Sequence, residues 1–282
     1  MADQSPANGP GRSFGGVADA YDRGRPSYPR EAAAWLAGTD GCTVLEVGAG
    51  TGKLTKVLAD LGHDVHATEP DPALLELLKR DLPDVPVTGA PAEDLPLPDA
   101  SIDVVVCAQA FHWFDHERAL PEIARVLRPG GRLALVWNVP DTRIPWVRRL
   151  GELLGTQEQQ EDPAGAVVTS PLFGFVDEAT FKHWQVVDRH SIRDLALSRS
   201  GVATLPEAER EARLAEVVAF YDDFGRGMDG MQLPYLARCF RATVVREETA
   251  GAAEEEPEGE RDPMTDTISD GTDTDMLLID FR

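Results

Sequence analysis

One junction constrains this chain more than any other feature. The run Thr43-Val44-Leu45-Glu46-Val47 ends in Gly48-Ala49-Gly50-Thr51-Gly52. Aliphatic and β-branched residues favour a buried extended segment, and the alternate glycines permit a sharp turn after it. Residues 54–61 follow with Leu54, Val57, Leu58 and Leu61 at helical spacing. A strand that turns through glycines into a helix opens a βαβ unit.

The rhythm continues on both sides of the junction. Residues 31–36 read as a helix, 64–68 as a second strand, and 71–82 as a helix with Asp71 as cap and Pro72 in its first turn. Residues 85–87 form a weak third strand. The continuous apolar run 102–108 reads as a strand buried on both faces. A helix over 118–127 is stopped by Pro129-Gly130-Gly131, and 132–137 is another buried strand. This alternation, at ~20–30 residues, predicts an α/β fold with a doubly wound parallel sheet. Beyond Asn138 the pattern changes: helical over 145–154, strand-like over 173–187, a charged amphipathic helix over 206–224 and a last strand over 233–245.

Charge and cysteine usage exclude several function classes. Lys and Arg number 27 against 49 Asp and Glu, a net charge of -22. Such a surface repels phosphate backbones and anionic membranes, so neither nucleic acid nor a membrane is an expected partner. The apolar runs fall far short of the ~20 residues a bilayer requires. Residues 1–16 are polar and rich in Gly and Pro, without the basic start and apolar stretch of a secretory leader, so a cytoplasmic protein is expected. Cys42, Cys107 and Cys239 are scattered and form no CxxC pair, as expected of reduced thiols. His63, His66, His183 and His190 lack metal-ligand spacing, so no metal is expected. His116, beside Asp115, reads as solvated, and Trp35, Trp137, Trp146 and Trp184 read as core. Residues 1–13 are expected to be disordered and 14–250 to form one folded domain. The segment 251–282, with eleven acidic and two basic residues, reads as an acidic disordered tail.

The glycine loop can be tested against three templates. A P-loop, G-x-x-x-x-G-K-[ST], fails because Val47 stands five residues before Gly52 and Leu54 follows Lys53. A dinucleotide loop, G-x-G-x-x-G, fails because its third glycine would be Lys53. The third template is E-x-G-x-G-x-G closing a first strand, and Glu46, Gly48, Gly50 and Gly52 match it. The stretch 44–52 thereby resembles the first motif of class I S-adenosylmethionine (SAM)-dependent methyltransferases. SAM carries no phosphate, so such a loop need only let the backbone approach the methionine part closely.

The resemblance extends over residues 14–246. It implies a mostly parallel seven-stranded, Rossmann-like methyltransferase sheet with helices on both faces, and SAM as cofactor. It also implies cofactor-binding roles for Glu46, Gly48, Ala49, Gly50 and Gly52. Glu69, followed by Pro70, ends the second strand ~20 residues beyond the glycines, where an acid accepts the ribose hydroxyls. The stretch 91–103 resembles the adenine-side loop, with Ala92 and Glu93 as contacts. Pro91 stands where many relatives have Asp or Ser, and the competing reading takes Glu93 as part of a surface acidic loop. Gln109, His112 and Trp113 follow the fourth strand, where doubly wound sheets place ligands. The stretch 122–135 resembles the family's R-V-L-x-P-G-G helix–turn–strand.

The aromatic and Arg-Pro-rich segment with Tyr21, Arg25, Pro26, Tyr28 and Pro29, together with His112-Trp113, is similar to small-molecule enzymes of the trans-aconitate methyltransferase type. Tyr21 and Arg25 are placed to reach the cofactor carboxylate or an acidic substrate. Residues 141–235 are implied to cover the substrate, with Arg189, Arg193 and Arg199 as candidates for an anionic acceptor. The expected reaction is methyl transfer to a small molecule at oxygen, carboxylate or hydroxyl. The alternatives are C-methylation of a quinone- or polyketide-like substrate, or SAM binding without catalysis. His112 is the candidate general base, since its ordinary pKa suits the task; the competing reading makes it a wall of the cofactor site.

Overall fold

The computed structural model describes residues 22–155, 163–224 and 230–245. Helix α1 (Arg30–Ala37) leads into β1 (Thr43–Val47), α2 (Lys53–Asp60), β2 (Asp64–Thr68), α3 (Pro72–Asp81) and β3 (Val87–Thr88). Next come β4 (Ile102–Ala108), a 3₁₀ turn (Phe111–Trp113), α4 (His116–Val126) and β5 (Leu127–Pro140). The last part holds α5 (Pro145–Leu153), α6 (Gly165–Val168), β6 (Phe173–Val187), α7 (Ser191–Leu197), α8 (Ser200–Ala203), α9 (Glu207–Phe224) and β7 (Met231–Val244). The seven strands form one sheet in the order β3-β2-β1-β4-β5-β7-β6. Strands β1 to β5 pair in parallel, whereas β7 runs antiparallel to both β5 and β6. The expected α/β sheet is therefore present, mostly parallel and seven-stranded.

The two faces of the sheet follow the alternation of its side chains. Val44, Val104, Val106, Ala134 and Val136 pack with Ala33 and Leu36 of α1 and Leu54 and Leu58 of α2. The intervening Leu45, Val47, Val105, Leu133 and Leu135 face the other way and pack with Ala119, Leu120 and Ile123 of α4. Both faces are covered, which is why these strands read as near-continuous apolar runs. Helix α3 starts where expected: the Asp71 carboxylate accepts from the amides of Ala73 at 2.8 Å and Leu74 at 3.4 Å, and Pro72 occupies the first turn.

Four expectations need correction. Pro129-Gly130-Gly131 does not separate helix from strand, because β5 already begins at Leu127 and carries the turn within it. Its pairing with β4 slips between Ile102–Leu127 and Val104–Arg132, and Gly130 takes the left-handed backbone (φ 77°) that the kink requires. Helices α6, α7 and α8 were not legible, being too short for a periodic pattern to build up. Trp184 is 59% exposed on β6, while Trp137 is buried and Trp35 and Trp146 half-buried. His116 is half-buried: its ring stacks on Phe111 at 4.4 Å and its Nε2 lies 3.0 Å from the Phe111 carbonyl oxygen. Residues 1–13 and 251–282 lie outside the described residues.

Candidate active site

The glycine loop lies at the carboxyl end of β1 and is pinned by its neighbours. The amides of Gly48 and Ala49 both donate to the Thr68 carbonyl at the end of β2, each at 2.9 Å. Gly48, Gly50 and Gly52 all have positive φ (70°, 59° and 85°), a conformation that costs other residues about 1–2 kcal/mol. Their surroundings differ. A Cβ on Gly48 would lie 2.6 Å from the Ala110 Cβ, and one on Gly52 would lie 2.4 Å from Leu78 Cδ1. A Cβ on Gly50 would meet nothing within 4 Å. Two glycines therefore let the loop pack, and the middle one leaves a bare backbone facing open space.

Two carboxylates flank this backbone. Glu69 Oε2 accepts from the Gly50 amide at 2.8 Å and Oε1 from the Asp71 amide at 2.9 Å. Burial nevertheless holds the Glu69 carboxyl above the usual carboxylate range. Glu46 is 1% exposed and accepts a 2.5 Å hydrogen bond from the Thr55 hydroxyl. Burial, reinforced by the nearby Glu69, pushes its pKa up to about 8.

A cleft opens over the loop. Arg25, Glu46, Gly48, Ala49, Gly50 and Gln109 line it, joined by Pro26, Tyr28, Thr51, Lys53, Leu54 and Ala108. Gln109 adopts the left-handed backbone (φ 58°), uncommon for a residue with a side chain. It is held there by its amide on the Val136 carbonyl at 2.9 Å and its side-chain amide on the Asn138 carbonyl at 3.2 Å. The buried Thr51 hydroxyl has no hydrogen-bond partner, so the wall offers a polar group to a ligand.

Residues 22–28 form a strap along the cleft. The Asp22 carboxylate pairs with Lys53 at 3.2 Å, and Arg23 grips the buried Asp194 of α7 at 2.7 and 3.3 Å. The Gly24 carbonyl accepts from the Gln185 side chain at 2.9 Å, Arg25 donates to the Ser198 carbonyl at 2.9 Å, and Asn138 donates to the Ser27 carbonyl at 3.1 Å. Gly24 must be glycine here, because a Cβ would stand 2.5 Å from the Asp194 carbonyl oxygen.

Other expected residues stand elsewhere. Glu69 sits beneath the loop, and Pro70 after it is exposed. Ala92 is buried in the core, and Glu93 accepts from the Asp115 amide at 2.8 Å; neither lines the cleft. His112 is exposed on the 3₁₀ turn, its ring tilted 45° against Trp113 with centroids 4.5 Å apart, and is not among the cleft-lining residues. Partial burial and the neighbouring His116 lower its pKa. Arg189 and Arg193 are exposed and paired with Asp222 and Glu211, whereas Arg199 is buried. Tyr21 lies outside the described residues. Thr51, Thr55 and Asn138 were not anticipated; the only available signal was a polar residue directly after a glycine loop or at the end of an apolar strand.

Known proteins supply the remaining observation. Residues 45–135 match the methyltransferase domain family. The chain is 44% identical over 237 residues to an uncharacterized methyltransferase of Mycobacterium tuberculosis, a match covering 83% of this chain and 96% of that one. The chain belongs to the class I methyltransferase family. An uncharacterized methyltransferase of Schizosaccharomyces pombe is 35% identical over 221 residues, covering 73% of this enzyme and 86% of its own length. Among solved structures, a protein of Anaeromyxobacter dehalogenans assigned as a type II methyltransferase superposes with a TM-score of 0.57 at 28% identity. That superposition covers 78% of this methyltransferase and 97% of the other chain.

Proposed function

We propose that this methyltransferase binds SAM in the cleft over the glycine loop and methylates an oxygen, carboxylate or hydroxyl, of a small-molecule acceptor. One observation carries the proposal: Gly50 presents bare, left-handed backbone to open space while its amide is fixed on Glu69. The residues present fit the cofactor. The loop from Gly48 to Gly52 takes the close approach of the methionine part, and the unpartnered Thr51 hydroxyl offers a further hydrogen bond. On this reading Glu69, anchored on the Gly50 and Asp71 amides, turns its remaining lone pairs to the ribose, and Arg25, lining the cleft, takes a carboxylate. Glu46, buried under the loop and holding its proton, gives the site a neutral carboxyl floor. Glu93, held by the Asp115 amide, serves the loop before α4 on this reading.

When bound, the cofactor supplies an activated methyl group on a sulfonium centre; the chain has to orient the acceptor and exclude water. The strap serves both tasks, because it is fixed to the loop side by Asp22–Lys53 and to α7 by Arg23–Asp194. An ionised carboxylate acceptor needs no general base, which agrees with His112 standing outside the cleft lining. Arg25 and Tyr28 in that lining support an affiliation with the trans-aconitate type. The test is calorimetric titration with SAM and S-adenosylhomocysteine beside a Gly50→Arg control, followed by a labelled-methyl assay on carboxylic acids and alcohols. Micromolar binding lost in the control, with label on an acid or alcohol, is the expected result. Absence of binding by the folded wild type refutes the cofactor assignment, and label only on carbon refutes the oxygen assignment.

A further inference from the structure

Strand β6 ends the sheet. Along Phe173–Val187 it pairs with β7, and among the described residues no other strand lies beyond it and no backbone hydrogen bond leaves its outer edge. An edge of 15 residues is a ready template for another strand, and soluble proteins keep such edges short, covered or heavily charged. This one is long and carries exposed apolar groups: Phe175 is 87% exposed, Val186 61% and Trp184 59%. Glu178, Thr180, Lys182, Trp184 and Val186 follow one another on a single exposed face.

We propose that β6 is a dimer interface, on which a second copy of this chain pairs antiparallel about a two-fold axis at Thr180. The charges select that occupant and that register. Counting outward from Thr180 in both directions, Glu178, which also takes Arg238 of its own β7 at 3.2 Å, meets Lys182 of the second copy, and Lys182 meets its Glu178. Directly opposed side chains lie ~4.5–5.5 Å apart, within ion-pairing reach. Val176 meets Trp184, and the pairing stops there because the register of β6 shifts between Phe173 and Val176. On the opposite face Ala179 meets Phe181 and Asp177 meets His183, so no like charges meet. A shift of one residue turns every side chain to the wrong face. A shift to the next permitted registers sets Glu178 against Trp184 or Thr180 and loses both ion pairs. The contact is self-complementary, as a closed two-fold assembly requires, and it joins two seven-stranded sheets into one.

Sedimentation of the full chain at physiological salt, from low to high micromolar concentration, tests this; the salt screens the general repulsion between two acidic chains. The wild type is expected to dimerise. Lys182→Glu sets glutamates opposite each other at two places and is expected to weaken the dimer about tenfold or more. Glu178→Lys combined with Lys182→Glu is expected to restore it. Far-ultraviolet circular dichroism confirms that each variant is folded. Carbodiimide cross-linking of the wild type is expected to join Lys182 to Glu178 between copies. A monomer at every concentration overturns the proposal, as does a dimer that Lys182→Glu leaves intact or the double exchange fails to restore. Cross-links from Lys182 to acids of residues 251–282 instead would make the tail the occupant of this edge.

Discussion

The two sides of the sheet are built differently. From β1 to β4 the strands are short and parallel, both faces are covered, and the candidate site is shaped by backbone: three positive-φ glycines, with the amides of Gly48, Ala49 and Gly50 held on Thr68 and Glu69. From β6 to β7 the strands are long and antiparallel, β6 alternates between sheltered and exposed residues, and a separate apolar cluster joins α5, α7 and α9 to β7. This second region reaches the cleft through side chains that hold the strap, Asp194 and Gln185, and through the Ser198 carbonyl. The contrast teaches that the loop is specified by a few adjacent residues, whereas the strap depends on contacts between residues far apart in the chain.

The comparison breaks most readily at Gly48. Gly48→Val forces a β-branched residue into positive φ with its Cβ on Ala110, and is expected to cost about 3 kcal/mol or more, read as a lowered urea midpoint. Gly50→Arg separates packing from binding. Its side chain points into open space, so the loss of stability stays near ~1–2 kcal/mol while SAM affinity falls more than ~100-fold by calorimetry. A mutant that binds normally would refute the role given to this backbone.

The buried carboxyl of Glu46 adds a pH test of the same region. Its folded pKa, about 8, exceeds its ordinary 4.5, so between those values the folded state keeps a proton that the unfolded chain has released. Wild-type stability is therefore expected to fall as pH rises through this window. Glu46→Gln lacks that slope; it should be the more stable protein at pH 8, by roughly 4 kcal/mol, with the gap closing toward pH 4.5. Denaturant melts of both proteins across that range provide the check.

The second region gives smaller effects. Gly24→Ala meets the Asp194 carbonyl and is expected to loosen the strap, raising KM about tenfold with the core melting temperature almost unchanged. His112→Asn is the mildest: kcat should fall by less than ~10-fold, because the side chain does not line the cleft. A thousandfold loss together with a vanished acidic limb in the pH profile would identify His112 as the base.

Much of the fold was legible because its signals are local. The run 43–47, the spacing of Leu54, Val57 and Leu58, the Asp71-Pro72 start and the strand 173–187 each state their element within a dozen residues. Glycines at alternate positions also marked the loop, since few other residues tolerate its backbone. Tertiary structure decided the rest. Glu93 and Glu69 are both acids near the expected site, yet one is bound by the Asp115 amide and the other lies under Gly50. Arg23 finds Asp194 and Asn138 finds Ser27 across more than a hundred residues of chain. Trp184 stands exposed on β6, which among the described residues pairs with β7 alone. Periodicity and backbone preference are properties of a few adjacent residues and can be read from order alone. Partners, burial and strand edges arise only when distant segments meet.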